Sequence, residues 1–132
     1  MIAHVTTVEG TVAVDVEDEL VLGPADSPVE QEPVKVDLPR VVAASASGST
    51  VVAVVDRRPP LVVSTDAGAT WRESGGGLPV GYAVAVAPVD PDRMLFAARN
   101  RLYLSLDGGR FWRSLAPELP DIVAVSWAAT ES

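Results

Sequence analysis

Apolar residues along this chain come in short β-branched runs that alternate with polar positions and stop at glycine, proline, aspartate or serine. In the middle third the order is VVAASAS, a GS turn, TVVAVV, a DRRPP tip, LVVST and then DAGATWRES. Runs of this length bounded by turn formers predict strands joined by hairpins. Helix has little support. No stretch keeps apolar residues at helical spacing through two turns without proline or glycine, apart from alanine-rich runs that fit strands equally well.

The same order recurs along the chain. Leu38-Pro39, Leu78-Pro79 and Leu119-Pro120 stand about 40 residues apart, as do LVL at 20–22, LVV at 61–63 and LYL at 102–104. The repeats divide the chain into units 1–40, 41–79 and 80–120, with residues 121–132, DIVAVSWAATES, left over. Each unit has the size of one four-stranded propeller blade, and repetition at this period is the usual sign of that architecture. The expected fold is therefore all-β, with three four-stranded antiparallel blades plus one extra strand, as a partial propeller or a ring closed by oligomerisation. The extra segment matches a first strand, VAVSWA against VAVAPV. It belongs either to a strand exchanged with a neighbouring copy or to a piece of a longer propeller.

Two segments repeat most closely, STDAGATW at 64–71 and SLDGGRFW at 105–112. Gly68 and Gly109 can take positive φ in a tight turn without a Cβ penalty. Asp66 and Asp107 can accept backbone N–H bonds as Asx turns do, and Ser64 and Ser105 can add a hydroxyl partner. Trp71 and Trp112 supply large apolar side chains suited to wedging against a neighbouring blade. In unit one the corresponding stretch, GPADSPVEQEPV, keeps Asp26 near the expected place. It puts Pro28 close to the glycine position and has no aromatic residue.

These residues resemble the Asp-box, or BNR, repeats of the sialidase-like β-propellers. The S-x-D-x-G-x-T-W pattern is met in full by Ser64, Asp66, Gly68, Thr70 and Trp71, whereas the second copy has Phe111 in place of the threonine. The resemblance implies that the boxes join third and fourth strands at the perimeter and serve folding rather than chemistry. It also implies a non-enzymatic scaffold or recognition surface for a protein or carbohydrate partner. The alternative it offers is a remnant or subunit of a sialidase-like glycoside hydrolase. Such hydrolases use an arginine cluster, a tyrosine–glutamate pair and an aspartate acid. Here neither Tyr82 nor Tyr103 has an evident catalytic partner, Glu73 falls in an outer strand, and no F-R-I-P motif occurs. No catalytic residue is assigned. Arg57, Arg58, Arg99 and Arg101 gather at the tips after second strands and form the candidate binding face for an anion, with solvated hairpin tips as the competing explanation.

Charge and composition narrow the partners. The 132-residue chain carries a net charge of −8, which disfavours nucleic acid because phosphate contacts need lysine and arginine. With no cysteine and only His4 among histidines, thiolate and histidine metal sites are excluded; the acidic run Asp15–Glu19 lacks calcium-loop spacing. No metal and no cofactor is expected. No apolar run approaches the roughly 20 residues of a membrane span and no secretory signal is seen, so no membrane association and a cytoplasmic location are expected. Nine of the acidic residues fall in residues 1–40, against two basic ones. The turn VEDE of unit one is acidic where ARNR of unit three is basic. That contrast suggests self-association head to tail to close a ring, since three blades alone leave end faces bare.

Overall fold

Strands form where the alternating runs predict them. A computed structural model of the protein describes residues 1–25, 29 and 34–128. Asp26 and Pro28 lie outside the described residues. The strands are β1 (Ile2–Thr7), β2 (Gly10–Asp15), β3 (Leu20–Pro24), β4 (Val41–Ser47), β5 (Thr50–Val55) and β6 (Leu61–Ser64). They continue with β7 (Arg72–Ser74), β8 (Ala83–Val86), β9 (Met94–Ala97), β10 (Leu102–Ser105), β11 (Arg113–Ser114) and β12 (Ile122–Trp127).

These make three four-stranded antiparallel sheets that do not close on themselves. The second sheet is β4-β5-β6-β7, the third is β8-β9-β10-β11, and the first is β12-β1-β2-β3. The left-over strand is thus the fourth member of the first sheet, pairing Ala3 with Trp127 and Val5 with Val125 within the same chain. A strand edge with free N–H and C=O groups accepts such a partner readily. Each Leu-Pro marker precedes an innermost strand: Leu38 before β4, Leu78 before β8 and Leu119 before β12. All three leucines plug apolar clusters.

The third sheet sits in the middle. Its innermost strand β8 packs against both β4 and β12, so the three inner strands lie side by side. One cluster joins the first and third sheets through Val5, Val14, Leu95, Leu104, Leu115 and Val125. A second joins the second and third through Val52, Val54, Leu61, Met94 and Phe96. The outward face of the second sheet carries Val55, Val62 and Trp71, and Val36 and Leu38 of the incoming segment cover it. On the outward face of the first sheet, Val29 N donates to Thr6 Oγ1 at 2.7 Å. Residues of the stretch joining β3 to β4 therefore lie against both free faces of the arc.

The placement of β12 revises one expectation. Because β12 takes the innermost place, the VEDE turn is the β2–β3 hairpin, between third and fourth strands. ARNR lies between the second and third strands of its sheet. The β1–β2 turn shares the ARNR end, where Val8 N donates to Asp121 O and Asp121 holds Arg99. VEDE, at the far end of β2, is consequently not equivalent to ARNR, and the charge contrast that suggested head-to-tail pairing does not fall on matching turns. Among the described residues no helix is long and apolar enough to cross a membrane.

Candidate functional site

Both boxes close the hairpin between third and fourth strands around the same serine–aspartate–glycine core of bonds. In the first, Ser64 Oγ donates to Asp66 Oδ1 at 2.7 Å and accepts Gly68 N at 2.8 Å; Asp66 accepts Thr70 N at 2.9 Å and Thr70 Oγ1 at 2.6 Å. In the second, Ser105 Oγ donates to Asp107 Oδ1 at 2.8 Å and accepts Gly109 N at 2.9 Å, while Asp107 accepts Arg110 N and Phe111 N, each at 3.0 Å. Phe111 leaves the second carboxylate without the hydroxyl bond and stands 80% exposed. Gly68 and Gly109 both have positive φ, near 90°. Ala67 shares that region at φ 59°, where the second box has Gly108. An L-residue there is disfavoured by roughly 1–2 kcal/mol, partly offset by the entropy a glycine adds to the unfolded chain. Ala67→Gly is expected to stabilise the protein by about 0.5 kcal/mol in urea unfolding, and a loss of stability would contradict the strain.

The hydrogen bonds also set a pH dependence. Thr70, through its hydroxyl and its N–H, and then Ser64 lower Asp66 from 3.8 to about 2. Asp107 is lowered too, chiefly by Phe111 N–H. A depressed carboxylate contributes stability that is present above its unfolded value and lost as pH falls through the folded one. The hairpin amides of Gly68 and Thr70 are therefore expected to lose protection between about pH 4 and about pH 2. Protection unchanged down to pH 2 would contradict this.

The two tryptophans have different neighbours. Trp112 enters the cluster between the second and third sheets, edge-on to Phe96 at 6.1 Å, and its Nε1 donates to Gly109 O at 3.0 Å and Ser74 Oγ at 3.2 Å. Ser74 Oγ in turn donates to Gly109 O, and Arg72 Nη2 donates to Gly108 O. The second box is thus bolted to the fourth strand of the second sheet. Trp71 lies instead on the outward face beneath Val36 and Leu38. Ser74 was not singled out by sequence pattern, because its partner is 35 residues away. Ser74→Ala, which removes both hydroxyl bonds while Trp112 Nε1 and Gly109 O still pair with each other, is expected to cost about 0.5–1.5 kcal/mol of stability, read by urea unfolding.

The arginines lie at the opposite end from the boxes. Arg58, Arg99 and Arg101 line one shallow hollow of about 360 Å³ with Pro79, Tyr82, Asn100 and Tyr103. Arg57 is not among its lining residues and pairs with Glu73 at 2.9 Å. Arg99 pairs with Asp121 at 3.1 Å, and Arg101 with Glu118 at 3.0 Å. Asp121, followed by the nearby Tyr82, raises Arg99 above its ordinary value. Among the described residues Arg58 has no ion-pair partner. Tyr82 is 44% exposed, and Tyr103 rests edge-on against Phe96 at 5.9 Å. The sequence put Arg58, Arg99 and Arg101 on equivalent tips. It gave no sign that both tyrosines join them, since Tyr82 comes from a connector and Tyr103 from a strand.

The remaining candidates are locally occupied. Asp15 Oδ1 accepts Glu17 N and Asp18 N, Glu17 pairs with the Met1 amine at 3.2 Å, and Glu19 Oε1 accepts Ala116 N at 2.7 Å. Among the described residues no three acidic or histidine side chains converge on a metal position.

No protein-family model and no curated protein matches the chain. Solved structures similar to it include two that cover most of its length. One is the GH74 enzyme of Niastella koreensis, with a TM-score of 0.51 and 25% identity, covering 92% of this chain and 18% of that one. The other is YCF48 bound to D1 peptide, with a TM-score of 0.53 and 16% identity, covering 90% of this chain and 39% of that one. The chain thus spans well under half of either protein, and the second likeness shows the fold alone.

Proposed function

We propose that the chain is a non-enzymatic Asp-box propeller module whose arginine–tyrosine hollow receives an acidic group on a protein or carbohydrate partner. The observation that carries this reading is Arg58. Of the three guanidinium groups lining the hollow it alone lacks a carboxylate among the described residues, and two tyrosines and an amide stand beside it. A guanidinium fork matches a carboxylate in a bidentate way, and tyrosine rings offer rigid contact area for a sugar or side chain. YCF48, 39% of which this chain matches in fold, was solved with a peptide bound, which makes a peptide the first partner to test.

Titration with a glutamate-rich peptide and with a glucuronic-acid oligosaccharide, followed by NMR, tests the reading. Amide shifts are expected at Arg58, Tyr82 and Asn100, with at least tenfold weaker binding for Arg58→Glu. Shifts that ignore this charge reversal, or no shift with either probe, would overturn it.

A second reading, a piece of a larger glycoside hydrolase, draws on the likeness to the GH74 enzyme. Against it, Asp121, Glu118 and Glu73 are tied to Arg99, Arg101 and Arg57, and among the described residues no carboxylate lines the hollow that holds Tyr82. Turnover of a glycoside panel that disappears with Arg99→Ala or Tyr82→Phe would favour the hydrolase.

A further inference from the structure

We infer that a cleft between the first and third sheets binds a medium-chain alkyl carboxylate, with Arg93 receiving the acid group. The cleft has a volume of about 330 Å³. Met1, Ile2 and Trp127 line it from the first sheet, and Pro88, Val89 and Arg93 from the segment between β8 and β9. It lies beyond Val86, the last residue of β8, whereas the arginine hollow lies beside Tyr82, just before the first. The two sites therefore stand at opposite ends of the same inner strand.

Size, wall chemistry and charge select the occupant. At about 30 Å³ for each water-sized atom the cleft takes about ten non-hydrogen atoms, the number in octanoate. Small-molecule sites are mostly apolar, with a few polar groups that fix orientation. Here the walls are aliphatic except for Trp127, whose indole N–H already donates to Ala85 O at 3.1 Å. Val89 lines the cleft and yet is 74% exposed, apolar surface that an alkyl chain removes from water. The Met1 amine is held by Glu17 at 3.2 Å, and Arg93 alone among the lining residues has a charged side chain. Arg93 pairs with Asp90 through Nε at 3.3 Å, and its side chain makes no hydrogen bond among the described residues. A carboxylate meets such a guanidinium fork with two charge-assisted bonds, whereas an ammonium meets a like charge.

Titration with sodium octanoate, followed by NMR, is expected to shift the Trp127 indole N–H and the Val89 amide while Tyr82 and Asn100 stay in place. Octylammonium is expected to bind at least tenfold more weakly, although a chain of net charge −8 attracts cations in general. Hexanoate, two methylenes shorter, is expected to bind about tenfold more weakly than octanoate. Arg93→Gln is expected to weaken octanoate at least tenfold. If that variant does not fold, the comparison of octanoate with octylammonium on the unaltered protein decides. No shift at Trp127, equal binding of the two head groups, full octanoate affinity in Arg93→Gln, or shifts confined to the arginine hollow would overturn the proposal. So would NOEs between residues 129–132 and Val89 in the free protein, which would give the cleft to the chain itself.

Discussion

Replacing Phe96 with alanine is expected to remove about 3–5 kcal/mol, a large part of the 5–15 kcal/mol that holds a domain of this kind folded. Phe96 is fully buried and is the largest side chain in that state. It stands where the second and third sheets meet, with Tyr103 and Trp112 edge-on to it at 5.9 and 6.1 Å and the valines and Leu61 of the second sheet in the same cluster. The neighbouring rings are fixed by their strands and by the Trp112 bonds to Ser74 and Gly109, so the cavity cannot collapse fully. Thermal unfolding is expected to shift down by roughly 10–15 °C. A shift of only one or two degrees would mean that the two sheets do not depend on this contact.

Gly81→Ala is the second large effect, expected to cost about 2–3 kcal/mol through overpacking. Gly81 does not need positive φ; what it needs is the absence of a side chain. A Cβ built there would overlap Phe96 Cε2 and lie 2.7 Å from Phe96 Cζ and 2.8 Å from Val54 Cγ1. The connector between the second and third sheets passes directly over the ring. Pairing Gly81→Ala with Phe96→Leu should therefore destabilise by about 1–2 kcal/mol less than the sum of the single changes, because the shorter side chain vacates the space. Additive effects would show that the clash is relieved elsewhere.

Much of this fold was legible in the sequence because its turns are local. Gly68, Gly109, Asp66 and Asp107 act within a few residues of themselves, and the repeated Ser-x-Asp-x-Gly spacing predicted both hairpins. The Leu-Pro markers were informative for the same reason, each leading into an inner strand. Nonlocal relations were not legible. LVL at 20–22 keeps the repeat spacing of LVV and LYL yet occupies a fourth-strand place, because β12 enters the first sheet at its inner edge. That pairing joins residues more than 100 positions apart, and no local pattern encodes it. The same shift separates VEDE from ARNR. In the candidate site the arginine tips could be read from the sequence, but the lack of an ion-pair partner for Arg58 among the described residues and the approach of Tyr82 depend on how connectors cross between sheets.

The central claim is that β12 completes the first sheet within its own chain and lines up beside β8 and β4. Cross-strand NOEs between Val5 and Val125, recorded on labelled protein and then on labelled protein diluted with excess unlabelled chain, test this most directly. The account predicts that these NOEs appear and keep their intensity on dilution. Their absence, or their loss in proportion to the unlabelled chain, would contradict it.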